Sequence, residues 1–131
     1  MSDSDLLAAF ESCTLPKPEW THEAHVRTAW IYLTTRPFED AVKALRSGIQ
    51  KYNLSLGNKT GYHDTVTIAF ARLIRSRIAA LPESDFAAFR SRFPDLFAKS
   101  PSPLSRFYSK ERLTSPEAVA SFVEPDLLPL P

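Results

Sequence analysis

The chain has 131 residues and carries 16 Lys and Arg against 15 Asp and Glu, a balance that argues against a strongly basic nucleic-acid binder. The length fits one domain with a core of its own. Its single cysteine, Cys13, excludes an intrachain disulfide and fits a reducing compartment.

The first residues, Met1-Ser2-Asp3-Ser4-Asp5, are acidic where a secretory leader would be basic, and no apolar run approaches the roughly 18–20 residues of a membrane span. The expectation is a cytoplasmic protein with no membrane partner. Eleven prolines and three glycines suggest helices with sharp ends and stiff connections.

In chain order, Asp3 or Ser4 is a candidate cap for a short first helix carrying Leu6, Leu7 and Phe10. Two prolines within Thr14–Pro18 end it. Thr21 is a good N-cap type, and Val26, Ala29, Trp30 and Leu33 recur at helical spacing behind it. Thr35-Arg36-Pro37 starts a third helix with a stripe of Phe38, Ala41, Val42, Leu45, Ile49 and Tyr52, closed by Gly57. A fourth begins between Thr60 and Asp64 and buries Val66, Phe70, Leu73, Ile74 and Ile78.

Ser84 is placed to cap a short fifth helix with Phe86, Phe89 and Phe93, and residues 94–103 read as loop. Ser115-Pro116-Glu117 signals a last short helix reaching Phe122. The tail, with three leucines among three prolines, reads as an extended segment lying on the helices. The sequence therefore predicts an all-α single domain over residues 1–131. Its expected form is an antiparallel bundle of four main helices with short C-terminal helices and a proline-rich tail.

The three histidines occupy two similar segments, Trp20-Thr21-His22-Glu23-Ala24-His25 and Gly61-Tyr62-His63-Asp64-Thr65. His22 lies four before Val26, His25 four before Ala29 and His63 three before Val66, so each continues an inward stripe back past its helix start. Short connections make sequential helices antiparallel, which would place the second and fourth helix starts at one end. The expectation is that all three imidazoles share one pocket. Trp20 is placed to staple one helix start and Tyr62 lies beside His63, while Glu23 and Asp64 are expected at the rim.

Such a cluster supports three readings. In the first, His22, His25 and His63 are the ligands of a divalent Zn, Fe, Ni or Mn, with Glu23, Asp64 or water completing the shell. The spacing is not that of a zincin helix, and two positive helix ends oppose a cation. In the second, the histidines act as catalytic acid or base, or simply bind a small anionic molecule, with Glu23, Tyr62 and Asp64 as ligand-binding residues. The third, of a different class, is a non-catalytic interaction or scaffold protein whose histidines only cap and hydrogen-bond.

Other signals are weaker. The stretch after residue 70 is basic, yet it shows no helix-turn-helix pattern or RNA-module motif, which argues against nucleic acid. Gly57–Gly61 lacks the spacing and preceding strand of a phosphate loop. Cys13 reads as a buried structural thiol. Tyr108, Lys110, Glu111 and Arg112 read as a salt-bridged surface turn.

Taken together, four segments carry a resemblance. They are Trp20–Leu33, Gly61-Tyr62-His63-Asp64-Thr65, Tyr108-Ser109-Lys110-Glu111-Arg112-Leu113, and Val123-Glu124-Pro125-Asp126-Leu127-Leu128-Pro129-Leu130-Pro131. In these the chain resembles a group of small bacterial all-helical proteins. The resemblance implies one compact helical unit in which residues 108–112 and the tail are regular parts. It implies no activity.

Overall fold

The computed structural model describes residues 1–131, and every regular element in it is helical. The α-helices are α1 (Asp3–Glu11), α2 (His22–Thr35), α3 (Phe38–Ser55), α4 (Asp64–Ala80), α5 (Phe86–Arg92), α6 (Lys110–Leu113) and α7 (Pro116–Ala120). Short 3-10 turns occupy Lys17–Glu19, Pro94–Phe97 and Pro103–Arg106. No helix is long and apolar enough to cross a membrane. The chain divides into two compact units, Met1–Tyr62 and His63–Pro131.

In the first unit α1, α2 and α3 pack on one another. The cap of α1 falls one residue earlier than its sequence suggests. Ser2, not Asp3 or Ser4, accepts the N–H of Asp5. Leu6 and Phe10 are buried as the apolar spacing requires. Cys13 follows the C-terminus of α1 with φ of 60°, a left-handed residue that closes the helix, and it is half-buried rather than enclosed. Thr21 caps α2 as expected, its hydroxyl accepting the N–H of Ala24. From α3, Ala41, Leu45 and Tyr52 are buried. Gly57 follows with φ of +79°, a conformation that favours glycine.

Gly48 lies mid-helix in α3, and a Cβ there would sit 2.6 Å from the ring of Phe10. The glycine is what lets that ring pass close to the helix backbone. Tyr52 completes the corner by donating its hydroxyl to the Leu15 carbonyl at 2.6 Å. Burial, with Cys13 nearby, pushes that phenol up.

In the second unit α4 packs on α7 and on the Pro103–Arg106 turn. Leu73 and Ile74 are buried on α4, whereas Val66, Phe70 and Ile78 are half-buried; Thr65, Ala69 and Ala71 are buried as well. Asp85 rather than Ser84 caps α5 through the N–H of Ala88. Ser115 caps α7 with Pro116 in its first turn, as read, but the helix ends at Ala120, short of Phe122. Within residues 77–107, guanidinium groups lie over phenyl rings, Arg77 and Arg92 by Phe93, Arg90 by Phe97 and Arg106 by Phe107.

Candidate functional site

At the start of α2 three rings form a stack. Phe10 lies under Trp20 with centroids 4.8 Å apart, and Trp20 lies under His25 at 3.8 Å. The Nδ1–H of His25 donates to the Thr21 carbonyl at 2.7 Å, one turn earlier in the same helix. That bond and the stack together fix the orientation of the imidazole, and the tautomer leaves the Nε2 lone pair available as an acceptor. Burial of the ring, opposed by the Thr21 bond and aided by the neighbouring His22, lowers the His25 pKa. The ring is therefore neutral near pH 7.

Here the sign of the pH effect is definite. An unfolded chain takes up a proton on His25 near pH 6.5 that the folded unit resists. Stability of the first unit should be full above pH 6.5 and fall as pH drops from there toward the lowered folded value. Urea unfolding followed by Trp fluorescence at pH 7 and pH 5 should show this loss. His25→Phe, which keeps a ring against Trp20 but cannot titrate, should flatten it.

His22 lies close enough to His25 to influence it electrostatically, so the structure brings this pair together. Glu23 faces elsewhere. It lines a cleft of about 430 Å3 with Glu19, Thr21, Ala24 and Arg27 among its other walls, and no histidine is part of that lining. Arg27 is anchored there by Asp3 Oδ1 and the Met1 carbonyl, at 2.9 Å each. Tyr62 lines a separate, smaller cleft in the same unit, again without histidine.

His63 opens the second unit and is itself the N-cap of α4. Its Nδ1 accepts the N–H of Val66 at 3.1 Å, and its Nε2–H donates to the Leu113 carbonyl at 2.7 Å. Only one neutral tautomer makes both bonds, and it commits both ring nitrogens.

The sequence places Asp64 at the rim of a pocket. Instead its carboxylate is 2% exposed and accepts the backbone N–H of Phe122 at 3.1 Å. Thr65, fully buried, donates to the Ser121 carbonyl and accepts from the Val123 N–H, both at 3.1 Å.

These contacts continue along the tail. Tyr108 donates to the Val123 carbonyl at 2.6 Å, and Arg112 Nε donates to the Glu124 carbonyl at 2.9 Å. Asp126 accepts from both the backbone N–H and the hydroxyl of Ser109, at 2.8 and 2.5 Å. Those bonds, the hydroxyl foremost, hold its carboxyl below the usual range. Burial raises the Tyr108 hydroxyl to about 12, with Glu124 adding to the effect. Leu127 N–H donates to the Phe107 carbonyl, and Leu130 is buried.

Residues 108–112, read from sequence as a salt-bridged surface turn, are thus a holdfast for the tail. The segments His63–Thr65, Tyr108–Leu113 and Ser121–Asp126 form one hydrogen-bonded clasp. The sequence gives Thr65 and Ser109 no role of their own, because nothing periodic marks a partner more than a dozen residues away. No group of three or more His, Cys, Asp or Glu side chains is arranged to hold a metal ion. No protein-family model matches this chain, and neither the curated proteins nor the solved structures contain a significant match to it.

Proposed function

We propose that this is a non-catalytic interaction or scaffold protein in which the histidines maintain the fold. The observation that carries this reading is the ring of His63, whose two nitrogens are both spent on backbone groups of its own unit. An imidazole in that state offers no lone pair to an ion and no proton to a substrate. The separate linings of the clefts beside Glu23 and Tyr62, neither including a histidine, support the same reading.

The test is calorimetric titration of Zn2+ and Ni2+ into tag-free protein, with elemental analysis of the protein as purified. The expected result is no stoichiometric metal, and no metal-dependent rise in melting temperature. Stoichiometric metal that disappears in a folded His63→Ala variant would sink the reading.

One observation favours a second reading, confined to α2. The Nε2 of His25 is an oriented acceptor, and its Nδ1–H donates to a backbone carbonyl, an arrangement common to ligating histidines. Under that reading His25, with His22 one turn away, contacts a small ligand or a divalent metal independently of His63. In the same titration, binding lost in His25→Phe but kept in His63→Ala would select it.

A further inference from the structure

Apart from Met1, the large apolar side chains left in solvent fall into two pairs, Leu54 and Leu56 in the first unit and Leu127 and Leu128 in the second. The second pair is held unusually firmly for exposed residues. Asp126 on one side is tied to Ser109, Leu127 is tied through its own N–H to Phe107, and Leu130 on the other side is buried. Pro125 and Pro129 stiffen the backbone between these anchors. The result is a fixed apolar knob, and little conformational entropy would be lost on docking it.

The first pair has the opposite shape. Leu54 forms one wall of a cleft of about 230 Å3, closed by Gln50, Asn53, Asn58, Lys59 and Tyr62. The volume is below that of most drug-sized pockets but admits an aliphatic side chain. The charges complement one another. Lys59 is exposed at the cleft and Glu124 is exposed beside the knob, and neither side chain is held in an ion pair.

We propose that these patches are the two halves of one contact between copies of this chain. The Leu127–Leu128 knob of one copy seats in the Leu54–Tyr62 cleft of the next, with Glu124 against Lys59. This rests on the interaction reading above and names its partner as a second copy. Each copy then carries one knob and one cleft, and both a reciprocal two-fold dimer and a head-to-tail ring or chain satisfy that pairing. The patches are small, so association belongs to the weak, transient class.

Sedimentation velocity of the full chain tests this, from about 10 µM to about 500 µM, the range suited to a small interface. The wild-type mass should climb above the 14.7 kDa monomer with concentration. Leu54→Ser, and the double variant Leu127→Ser with Leu128→Ser, change exposed side chains and should keep the wild-type circular dichroism. Each alone should stay monomeric, with association weakened more than about a hundredfold. Mixed together, they should form a complex of two chains, because one supplies an intact knob and the other an intact cleft.

Lys59→Glu should weaken association, and mixing it with Glu124→Lys should restore it. A wild type monomeric at every concentration overturns the proposal, as does a mixture that stays monomeric. Self-association that survives Leu54→Ser would mean tail-to-tail pairing and overturns it too. None of these failures touches the histidine reading, which stands or falls on the metal titration.

Discussion

Phe10→Ala is expected to lower the unfolding free energy of the first unit by about 3–5 kcal/mol, the range for a fully buried phenylalanine. The ring is wholly buried, stacked on Trp20 and 5.9 Å from Tyr52. Gly48 leaves no side chain that could move in to fill the hole. The loss should extend beyond the cavity. Trp20 rests on Phe10, and His25 rests on Trp20, so the substitution removes the support on which the imidazole is oriented. Urea unfolding should therefore show both a lower midpoint and a weaker loss of stability between pH 7 and pH 5. A Phe10→Ala variant with the wild-type midpoint would mean that the stack does not support the unit.

The second large effect belongs to His63. Alanine there removes the N-cap of α4 and the bond to the Leu113 carbonyl, with an expected cost of about 2–3 kcal/mol from the two losses together. His63→Asn separates them. Asparagine is a good cap for the Val66 N–H but too short to reach Leu113, so it should recover about half of the loss. Thermal unfolding gives the ranking, with alanine least stable, asparagine intermediate and histidine most stable. Nitrogen chemical shifts of the wild-type imidazole should report the Nε2–H tautomer. Alanine and asparagine variants as stable as the wild type would remove the structural role assigned to His63.

Much of the helical content is legible in the sequence because period and cap type speak together. Thr21 before the α2 stripe, Ser115-Pro116 before α7, and the run from Ala41 to Tyr52 are of this kind. Caps misplaced by a residue, Ser2 for Asp3 or Ser4 and Asp85 for Ser84, lie where several capping types stand side by side. Only the geometry of one N–H chooses among them. Helix α6 has four residues, too few to show a period.

The candidate site was legible only in part. The segments themselves stand out in the sequence, but their chemistry does not. Asp64 is the ordinary capping type and His63 is not, yet the imidazole takes the cap while the carboxylate turns to Phe122. That exchange depends on where the tail runs, which no local pattern encodes. His63, Thr65 and Ser109 find their partners at Leu113, at residues 121–123 and at Asp126, distances in sequence that no helical period spans.

The clasp also has a consequence for biosynthesis. Asp64 and Thr65 near the start of the second unit hydrogen-bond residues 121–123, and Ser109 hydrogen-bonds Asp126. On a translating ribosome α4 emerges before residues 121–126, so these particular bonds form late. Until residues 121–126 have followed it, those bonds are unmade and the second unit stays open.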